Sequence, residues 1–224
     1  MNIAVILASG DGTRLNYNNE KKCFIEVCNK PLFSYSLNTF FSHEEIDYIY
    51  LMVPNGFKEK ALKNINNDKT VVLEGGSSRQ ESVFKALRAI KEKYVDTNPL
   101  ILVHDGARPL ISKQLISRHL LLHKVNKDLI LYTSLKCHDS YVRQEGNKYL
   151  AHVERDNLYI EQTPTSASLS NYLKAFEHVN SSSFNDDIAL FAKSGFIMNS
   201  VEGENLNFKI TDLDDLNLFK NIIK

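Results

Sequence analysis

Residues 3–14 read IAVILASGDGTR, an apolar run that ends abruptly in a glycine-rich segment carrying an arginine. The apolar run at residues 3–7 has the composition of a strand that is buried on both faces of a parallel sheet. Glycines let a backbone approach a phosphate closely and turn its N–H groups toward it. We therefore predict that the first strand leads into a ligand-binding loop at the carboxyl edge of an open α/β sheet.

Similar apolar runs recur along the chain and alternate with stretches of helical spacing. This alternation predicts an α/β fold with a mostly parallel sheet covered by helices. Because the chain has 224 residues and shows neither an internal repeat nor a convincing linker, we predict a single domain over residues 1–224. The further predicted strands are residues 48–53, 70–73, 100–103 and 129–131, and the predicted helices are residues 31–41, 57–65, 82–94 and 212–223.

Residues 134–153 (SLKCHDSYVRQEGNKYLAHV) interrupt this rhythm with charges that alternate with tyrosine and valine. Gly146-Asn147 lies between the two alternating runs and is a hairpin signal. The pattern predicts a β-arm that stands off the sheet. Because a short ribbon cannot bury both of its faces alone, we expect the arm to pack on another subunit. The alternative is a hairpin that folds onto its own domain.

The charge balance argues against nucleic acid or a charged membrane surface as partner. Lysine plus arginine and aspartate plus glutamate both number 27, so any anion site must be local. We expect no membrane span and no secretory signal, since the apolar runs are far shorter than about 18 residues. Three cysteines, Cys23, Cys28 and Cys137, fit neither a disulfide framework nor a zinc site, which predicts a reduced cytoplasmic location.

The first glycine-rich loop matches neither of the common phosphate-binding spacings. Leu15 stands where G-x-G-x-x-G has its third glycine, and G-x-x-x-x-G-K-[ST] fails as well. What remains is Arg14, followed seven and eight residues later by Lys21 and Lys22. These cations either face a bound anion or are solvated surface charges.

Two further turns follow predicted strands and should reach the same edge of the sheet. Residues 74–82 (EGGSSRQES) enter a helix that Ser78 or Ser82 could cap, and their small side chains also leave room for a planar ligand. Residues 103–109 (VHDGARP) place Asp105 at a strand end, where a carboxylate suits a hard divalent cation. The alternative for this aspartate is an ordinary turn-forming Asp-Gly pair.

Lys209 lies between apolar neighbours on an apparent strand, so its side chain points away from those of Phe208 and Ile210. If that face borders the cleft, Lys209 meets a phosphate. If it borders solvent, the residue only adds solubility.

Eight sequence blocks together resemble the 2-C-methyl-D-erythritol 4-phosphate cytidylyltransferases and their relatives, the ribitol 5-phosphate cytidylyltransferases. They occur in the order of that family and cover nearly the whole chain. The blocks are LASGDGTRL, KKCF, EGGSSRQESV, VHDGARP, HDS, VERDNLY with QTP, FNDDIALF, and VEGENLNFKIT.

The resemblance implies a Rossmann-like sheet with a protruding arm, in a homodimer that exchanges its arms. It also implies transfer of CMP from CTP to a polyol phosphate, with Mg²⁺ and release of pyrophosphate. Attack of one phosphate on another brings anions together, so fixed cations and a metal ion supply the catalysis. An ionised phosphate needs no general base, and the sequence offers no obvious one.

The resemblance further assigns roles to residues of this chain. The implied catalytic cations are Arg14, Lys22, Lys209 and Arg155, with Asp105 as the metal ligand. The implied nucleotide-binding residues are Ala8, Ser9, Gly10, Gly12 and Thr13 around the triphosphate, and Gly75, Gly76 and Ser82 at the cytosine edge. The implied contacts to the polyol phosphate are Arg108, Ser140 and Arg155, the last two from the neighbouring arm.

Departures from the family pattern leave some assignments open. The usual Pro-Lys-Gln reads Lys21-Lys22-Cys23 here, so Lys22 is assigned as the catalytic lysine and Lys21 is the alternative. VHDGARP is closer to the methylerythritol branch, whereas the length of the segment from Arg14 to Lys22 is similar to the ribitol branch. We expect methylerythritol phosphate as the acceptor, with ribitol phosphate as its competitor. Two other classes of function are a weakened CTP sensor and a nicotinamide-dependent dehydrogenase, which the missing third glycine disfavours.

Overall fold

The computed structural model describes residues 1–10, 12, 15, 17, 20–178 and 186–224. Its strands are β1 (Asn2–Leu7), β2 (Glu26–Val27), β3 (Lys30–Pro31), β4 (Tyr48–Val53), β5 (Thr70–Glu74), β6 (Leu100–Asp105), β7 (Leu131–Lys136), β8 (Tyr141–Glu145), β9 (Lys148–Val153), β10 (Tyr159–Ser168) and β11 (Asn199–Glu202). Its helices are α1 (Phe33–Phe41), α2 (Lys58–Leu62), α3 (Arg79–Lys93), α4 (Lys113–Val125), α5 (Leu169–His178), α6 (Asp187–Lys193) and α7 (Leu213–Ile222), with a 3-10 helix at Lys22–Phe24. Within these described residues, none of the helices is both long and apolar enough to cross a bilayer.

The central sheet has the strand order β11-β7-β10-β6-β1-β4-β5. β10 runs antiparallel to both of its neighbours, and the other four neighbouring pairs in this sheet are parallel. The prediction of a mostly parallel α/β sheet is therefore confirmed. The chain adds β4 and β5 on one side of β1 and then crosses to β6 on the other side. A reversal of this kind opens a crevice at the carboxyl ends of the strands.

β1 is buried on both faces, as its composition predicts. Ala4 and Ile6 pack into the cluster that includes α1 and α4, whereas Ile3 and Val5 pack into the cluster that includes α3 and α5. All four side chains are fully buried. Each Å² of apolar surface that is buried stabilises the fold by about 25 cal/mol, and β1 buries such surface on both faces. The first loop therefore starts from a firmly held strand.

The predicted arm begins later than residue 134. Residues 134–136 are the last residues of β7 and pair with residues 159–161 of β10, so they belong to the central sheet and not to the arm. The arm itself is the antiparallel hairpin β8–β9, whose turn contains Gly146 at φ +54°, a conformation that favours glycine. The hairpin signal in the sequence is thereby confirmed.

The prediction of a strand around Lys209 is wrong. Residues 203–211 form no strand and instead lead across the carboxyl edge of the sheet into α7. Asp212 caps α7 by accepting hydrogen bonds from the backbone N–H groups of Asp214 and Asp215. A segment that crosses strand ends has no neighbouring strand to pair with, so alternation of apolar residues does not make it a strand.

A buried histidine network fastens β10 to α4 and β7. Thr133 Oγ1 donates to the carbonyl of Pro164 at 2.7 Å, so it accepts from His119 Nε2 at 2.9 Å. His119 Nδ1 then accepts from Ser166 Oγ at 2.7 Å, and Ser166 Oγ accepts from His123 Nε2 at 2.9 Å. The direction of these hydrogen bonds makes Nδ1 of His119 an acceptor, so the His119 imidazole is neutral.

This network predicts loss of stability in acid. Burial, with smaller contributions from neighbouring cationic groups, lowers the pKa of His119 from 6.5 to about 3. Between these values the unfolded chain binds the proton and the folded chain does not, so stability falls as the pH is lowered. His119 alone should account for about 3 kcal/mol by pH 4.5.

Thermal unfolding measured from pH 7.5 to 4.5 checks this expectation. The His119→Gln variant should have a lower melting temperature than the wild type at pH 7.5. Its melting temperature should then fall less as the pH is lowered. His152→Gln, on the exposed arm, is the matched control and should follow the wild type. Equal pH slopes in all three proteins would contradict the assignment.

Candidate active site

A cleft of about 650 Å³ lies at the carboxyl edge of the sheet, where β1, β5 and β6 end. The three turns that the sequence predicts to meet there do meet. The 3-10 helix and the segment before α7 supply the remaining wall. The predicted site residues that line the cleft are Ser9, Gly10, Lys22, Gly75, Gly76, Asp105 and Lys209.

Other predicted residues of the nucleotide site lie behind this lining or outside the described residues. Ala8 is fully buried, and its backbone N–H donates to the carbonyl of Met52 at 2.8 Å. Thr13 and Arg14 lie outside the described residues, so their roles stay predictions.

Gly12 packs directly against Lys22. It has φ +67°, and a Cβ placed there would lie 2.4 Å from the Cβ of Lys22. A side chain at this position would therefore push the lysine out of place. The contact joins the opening loop to the 3-10 helix and explains the second glycine of that loop.

The Ser82 hydroxyl shapes the loop at residues 75–78 from behind. It donates to the carbonyl of Ser78 at 2.9 Å and accepts from the N–H of Gly76 at 2.9 Å. Its oxygen also accepts from Ser9 Oγ at 3.0 Å, because its own proton is already used. A Cβ on Gly75 would come within 2.8 Å of this hydroxyl oxygen. Ser82 is therefore committed to the backbone, while the two glycines face the cleft.

Asp105 is held between two cations. Lys209 Nζ donates to Asp105 Oδ2 at 2.6 Å, and Arg79 Nε donates to Asp105 Oδ1 at 3.3 Å. Although burial raises the pKa of this carboxyl group, the charges of Arg79, Lys209 and Arg108 outweigh burial and hold the pKa well below its usual range. Asp105 is therefore ionised at every physiological pH.

The segment that carries Lys209 is fastened at both ends. The side-chain amide of Gln162 donates to the carbonyl of Glu204 at 2.8 Å and accepts from its N–H at 3.1 Å. A Cβ on Gly203 would lie 2.5 Å from Gln162 Oε1, so this approach requires glycine. At the other end, the N–H of Ile210 donates to the carbonyl of Ala107 at 2.9 Å. These contacts fix Lys209 beside the end of β6.

The lining of the cleft is cationic. Among the described residues that line it, the charged side chains are five cations and two carboxylates. Because the whole chain is neutral, this excess is local and suits a polyanion. The cations are Lys21, Lys22, Arg79, Lys85 and Lys209, and the carboxylates are Glu81 and Asp105.

The Cys23 thiol also lines the cleft, but it is not poised as a nucleophile. Burial raises its pKa to about 11, even though the charge of Lys22 acts in the opposite direction. Cys23 is consequently a protonated thiol near neutral pH.

Arg79 is the functional residue that reasoning from the sequence passed over. It is the first residue of α3, and Ser78 caps this helix by accepting from the N–H of Glu81. Its Nη2 donates to Asp187 Oδ2 at 2.9 Å while its Nε faces Asp105. Burial opposes the charged form, but the carboxylates of Asp187 and Asp105 prevail and raise the pKa of Arg79. An arginine directly after a glycine-serine loop was the available signal.

The three predicted contacts to the polyol phosphate do not line this cleft. Arg108 is buried and donates to the carbonyls of Asn207 at 2.8 Å and Glu161 at 3.0 Å. Ser140 and Arg155 are exposed near the base of the arm, where Arg155 Nη1 donates to the carbonyl of His138 at 2.7 Å. Their roles stay predictions.

The carboxylate content of the cleft limits how a metal could be held. In the described part of the chain there is no group of three or more His, Cys, Asp or Glu side chains arranged to hold a metal ion. Mg²⁺ does not require such a cage, because it commonly binds one or two carboxylates together with phosphate oxygens. An ionised Asp105 in a cleft suited to polyanions fits that mode of binding.

Comparisons with known proteins agree with this geometry. The family model described as IspD, 2-C-methyl-D-erythritol 4-phosphate cytidylyltransferase, matches residues 2–224. A ribitol-5-phosphate cytidylyltransferase of Vibrio parahaemolyticus is 31% identical over 231 residues, covering 100% of this chain and 96% of the relative. A 2-C-methyl-D-erythritol 4-phosphate cytidylyltransferase of Thermotoga neapolitana is also 31% identical, over 228 residues, covering 100% and 97%. The crystal structure of the Francisella tularensis 2-C-methyl-D-erythritol 4-phosphate cytidylyltransferase superposes with a TM-score of 0.81 at 27% identity, covering 98% of each chain.

Proposed function

Because the chain belongs to the 2-C-methyl-D-erythritol 4-phosphate cytidylyltransferase family, whose members are nucleotidyltransferases, we propose that it transfers CMP from CTP to 2-C-methyl-D-erythritol 4-phosphate. The observation that carries the proposal is the convergence of Lys22, Arg79 and Lys209 on one cleft beside Asp105. The reaction would supply a precursor for isoprenoids. With three free cysteines, the protein suits the cytoplasm, where CTP is available.

In the proposed reaction, an oxygen of the acceptor phosphate forms a bond to the α-phosphorus of CTP. The bond between that phosphorus and the oxygen bridging to the β-phosphate breaks, and pyrophosphate leaves with the electron pair. The acceptor oxygen is already ionised, so no side chain has to remove a proton. In this reaction Lys22 and Lys209 would stabilise the charge that builds up on the α-phosphate oxygens. The backbones of Gly75 and Gly76 leave room for the base.

We further propose Mg²⁺ as the cofactor, held by Asp105 together with phosphate oxygens of the substrate. A bound Mg²⁺ would neutralise charge on the triphosphate and favour departure of pyrophosphate. Lys209 now contacts the carboxylate oxygen Asp105 Oδ2. Exchange of that contact would free Asp105 for the metal and Lys209 for the substrate.

Ribitol 5-phosphate is the second candidate acceptor. The ribitol-5-phosphate enzyme of Vibrio parahaemolyticus and the methylerythritol enzyme of Thermotoga neapolitana share the same 31% identity with this chain. The two acceptors differ in their carbon chains and not in the phosphate that attacks. A ribitol acceptor would place the enzyme in the synthesis of teichoic acid or capsule.

A direct activity panel tests both acceptors. Purified protein is mixed with CTP and Mg²⁺ and with each alcohol phosphate in turn, and release of pyrophosphate is followed. We expect the largest kcat/KM with 2-C-methyl-D-erythritol 4-phosphate. Faster turnover with ribitol 5-phosphate would favour the second candidate. Tight CTP binding without pyrophosphate from either acceptor would contradict both and favour a CTP sensor.

We also propose that the protein acts as a homodimer with exchanged arms. Every residue of β8 and all but the last of β9 are exposed, including Val142 at 54% and Tyr149 at 62%. Apolar side chains on both faces of a two-stranded ribbon need a covering surface. A second copy would provide that surface and bring Ser140 and Arg155 to the cleft of its partner.

Mixing two damaged enzymes tests the exchange of arms. Arg155→Ala should mainly raise the KM for the acceptor, and Lys209→Ala should abolish turnover in its own cleft. A heterodimer of the two variants would contain one intact site, so random mixing should restore about a quarter of wild-type activity at subsaturating acceptor. Copurification with two affinity tags verifies that heterodimers form. Recovery no greater than the sum of the two variants would show that each cleft is self-contained.

A further inference from the structure

We propose that Arg79 is a positioning residue for Asp105, and that Asp187 anchors it in that role. The inference rests on the proposed function, because the positioned carboxylate is the one to which we assign the metal. It adds two residues to the machinery, one at the start of α3 and one at the start of α6.

The geometry separates a fixed partner of Asp105 from an exchangeable one. The Arg79 side chain is 19% exposed and contacts two carboxylates, Asp105 through Nε at 3.3 Å and Asp187 through Nη2 at 2.9 Å. The Lys209 side chain is 37% exposed, and its one ion pair with the described residues is with Asp105 at 2.6 Å. A planar guanidinium that is bound by two carboxylates has little conformational freedom, whereas an ammonium group on a flexible side chain can change its partner. Arg79 therefore holds one oxygen of Asp105 while the other remains open to exchange.

Asp187 serves as the anchor because it has no access to solvent. Its side chain is 0% exposed, so its charge depends on Arg79 for compensation. The same helix start is fastened by a second contact, in which Gln80 Nε2 donates to the carbonyl of Asp186 at 2.8 Å. Arg79 and Gln80 of α3 therefore contact Asp187 and Asp186 at the start of α6. Without Asp187, the guanidinium would be free to turn toward the anionic ligand of the cleft.

Two roles of Arg79 can be told apart by experiment. If Arg79 acts through Asp105, loss of Asp187 weakens metal binding even though the arginine is still present. If Arg79 binds the nucleotide itself, its loss weakens CTP binding without metal, and loss of Asp187 does not. The control is the exposed pair Arg88–Glu92 on the same helix, whose closest N–O distance is 3.8 Å.

The test uses the full chain with Mn²⁺ as the probe, followed by electron paramagnetic resonance in the presence of CTP, and calorimetry of CTP binding in EDTA. Arg79→Gln alone leaves the buried carboxylate of Asp187 without a compensating charge and can unfold the protein. Asp187→Asn and the double variant Arg79→Gln/Asp187→Asn avoid that charge. Asp105→Asn is the reference for loss of the metal ligand, and Arg88→Gln is the matched control.

We expect Asp187→Asn and the double variant to raise the Mn²⁺ dissociation constant by about 10-fold or more, the scale of lost outer-shell contacts. CTP binding in EDTA should change by less than about 3-fold, below the effect of losing a direct charged contact. If Asp187→Asn and the double variant bind Mn²⁺ as tightly as Arg88→Gln does, the inference is wrong while the proposed function still stands. The same holds if the double variant loses CTP affinity in EDTA while keeping its Mn²⁺ affinity. A wild type that binds neither CTP nor Mn²⁺ would overturn the proposed function and the inference with it.

Discussion

Replacing Lys209 with alanine is expected to lower kcat by about 10²-fold or more, the scale seen when one transition-state donor is removed. Its ammonium group lies 2.6 Å from Oδ2 of Asp105, the carboxylate to which we assign the metal. The folded state should lose little, because Asp105 keeps its contact with Arg79. The effect should therefore appear in turnover and not in the melting temperature.

Steady-state kinetics with CTP and the preferred acceptor, together with thermal unfolding, measure this effect. Lys91→Ala is the matched control, because Lys91 is an exposed lysine on α3. The control should retain wild-type kcat. A Lys209→Ala enzyme within 3-fold of wild type would remove Lys209 from the mechanism, since a direct transition-state contact is worth far more.

Lys22→Ala is expected to have an effect of similar size. The backbone of the 3-10 helix holds Lys22 in the wall of the cleft, and the close approach of Gly12 to its Cβ restricts where its side chain can go. A cation fixed in this way stabilises charge on the triphosphate without having to reorganise first. We expect a loss of about 10²-fold in kcat/KM for CTP.

The adjacent Lys21 is the natural comparison, because both lysines line the cleft. Lys21 precedes the 3-10 helix, and the three atoms nearest to a Cβ built on Gly12 all belong to Lys22. Lys21→Ala should therefore raise the KM for CTP by a few-fold and leave kcat near wild type. If Lys21→Ala proves the more damaging change, the two assignments must be exchanged.

The sequence predicts the parallel half of the fold well and the other half poorly. Residues 48–53 form a strand as predicted, because a continuous run of apolar residues buried on both faces leaves little ambiguity. The elements that were not predicted are β2, β3, β10, β11, α4, α5 and α6. β10 carries Gln162, Thr163 and Ser166 into the interior, where hydrogen bonds satisfy them, so its buried face does not read as apolar.

The candidate site was predictable where single residues sit directly at strand ends. Asp105 and Gly75 reach the cleft because parallel strands bring their carboxyl ends to one edge. The contact of Arg79 with Asp187 joins positions 108 residues apart in sequence, and no local pattern encodes it. Arg108 illustrates the opposite case, since its charge suggests a ligand contact while its guanidinium is taken up by two backbone carbonyls.

The paired contacts of Gln162 with Glu204 bear on how catalysis is timed. Together with the link between Ile210 and Ala107, they leave the segment that carries Lys209 without a hinge. No closing motion of this segment has to precede the chemical step in order to deliver its charge. Each catalytic cycle then has to move only the ammonium group, from Asp105 Oδ2 to the substrate, while the backbone at Lys209 stays where folding has placed it.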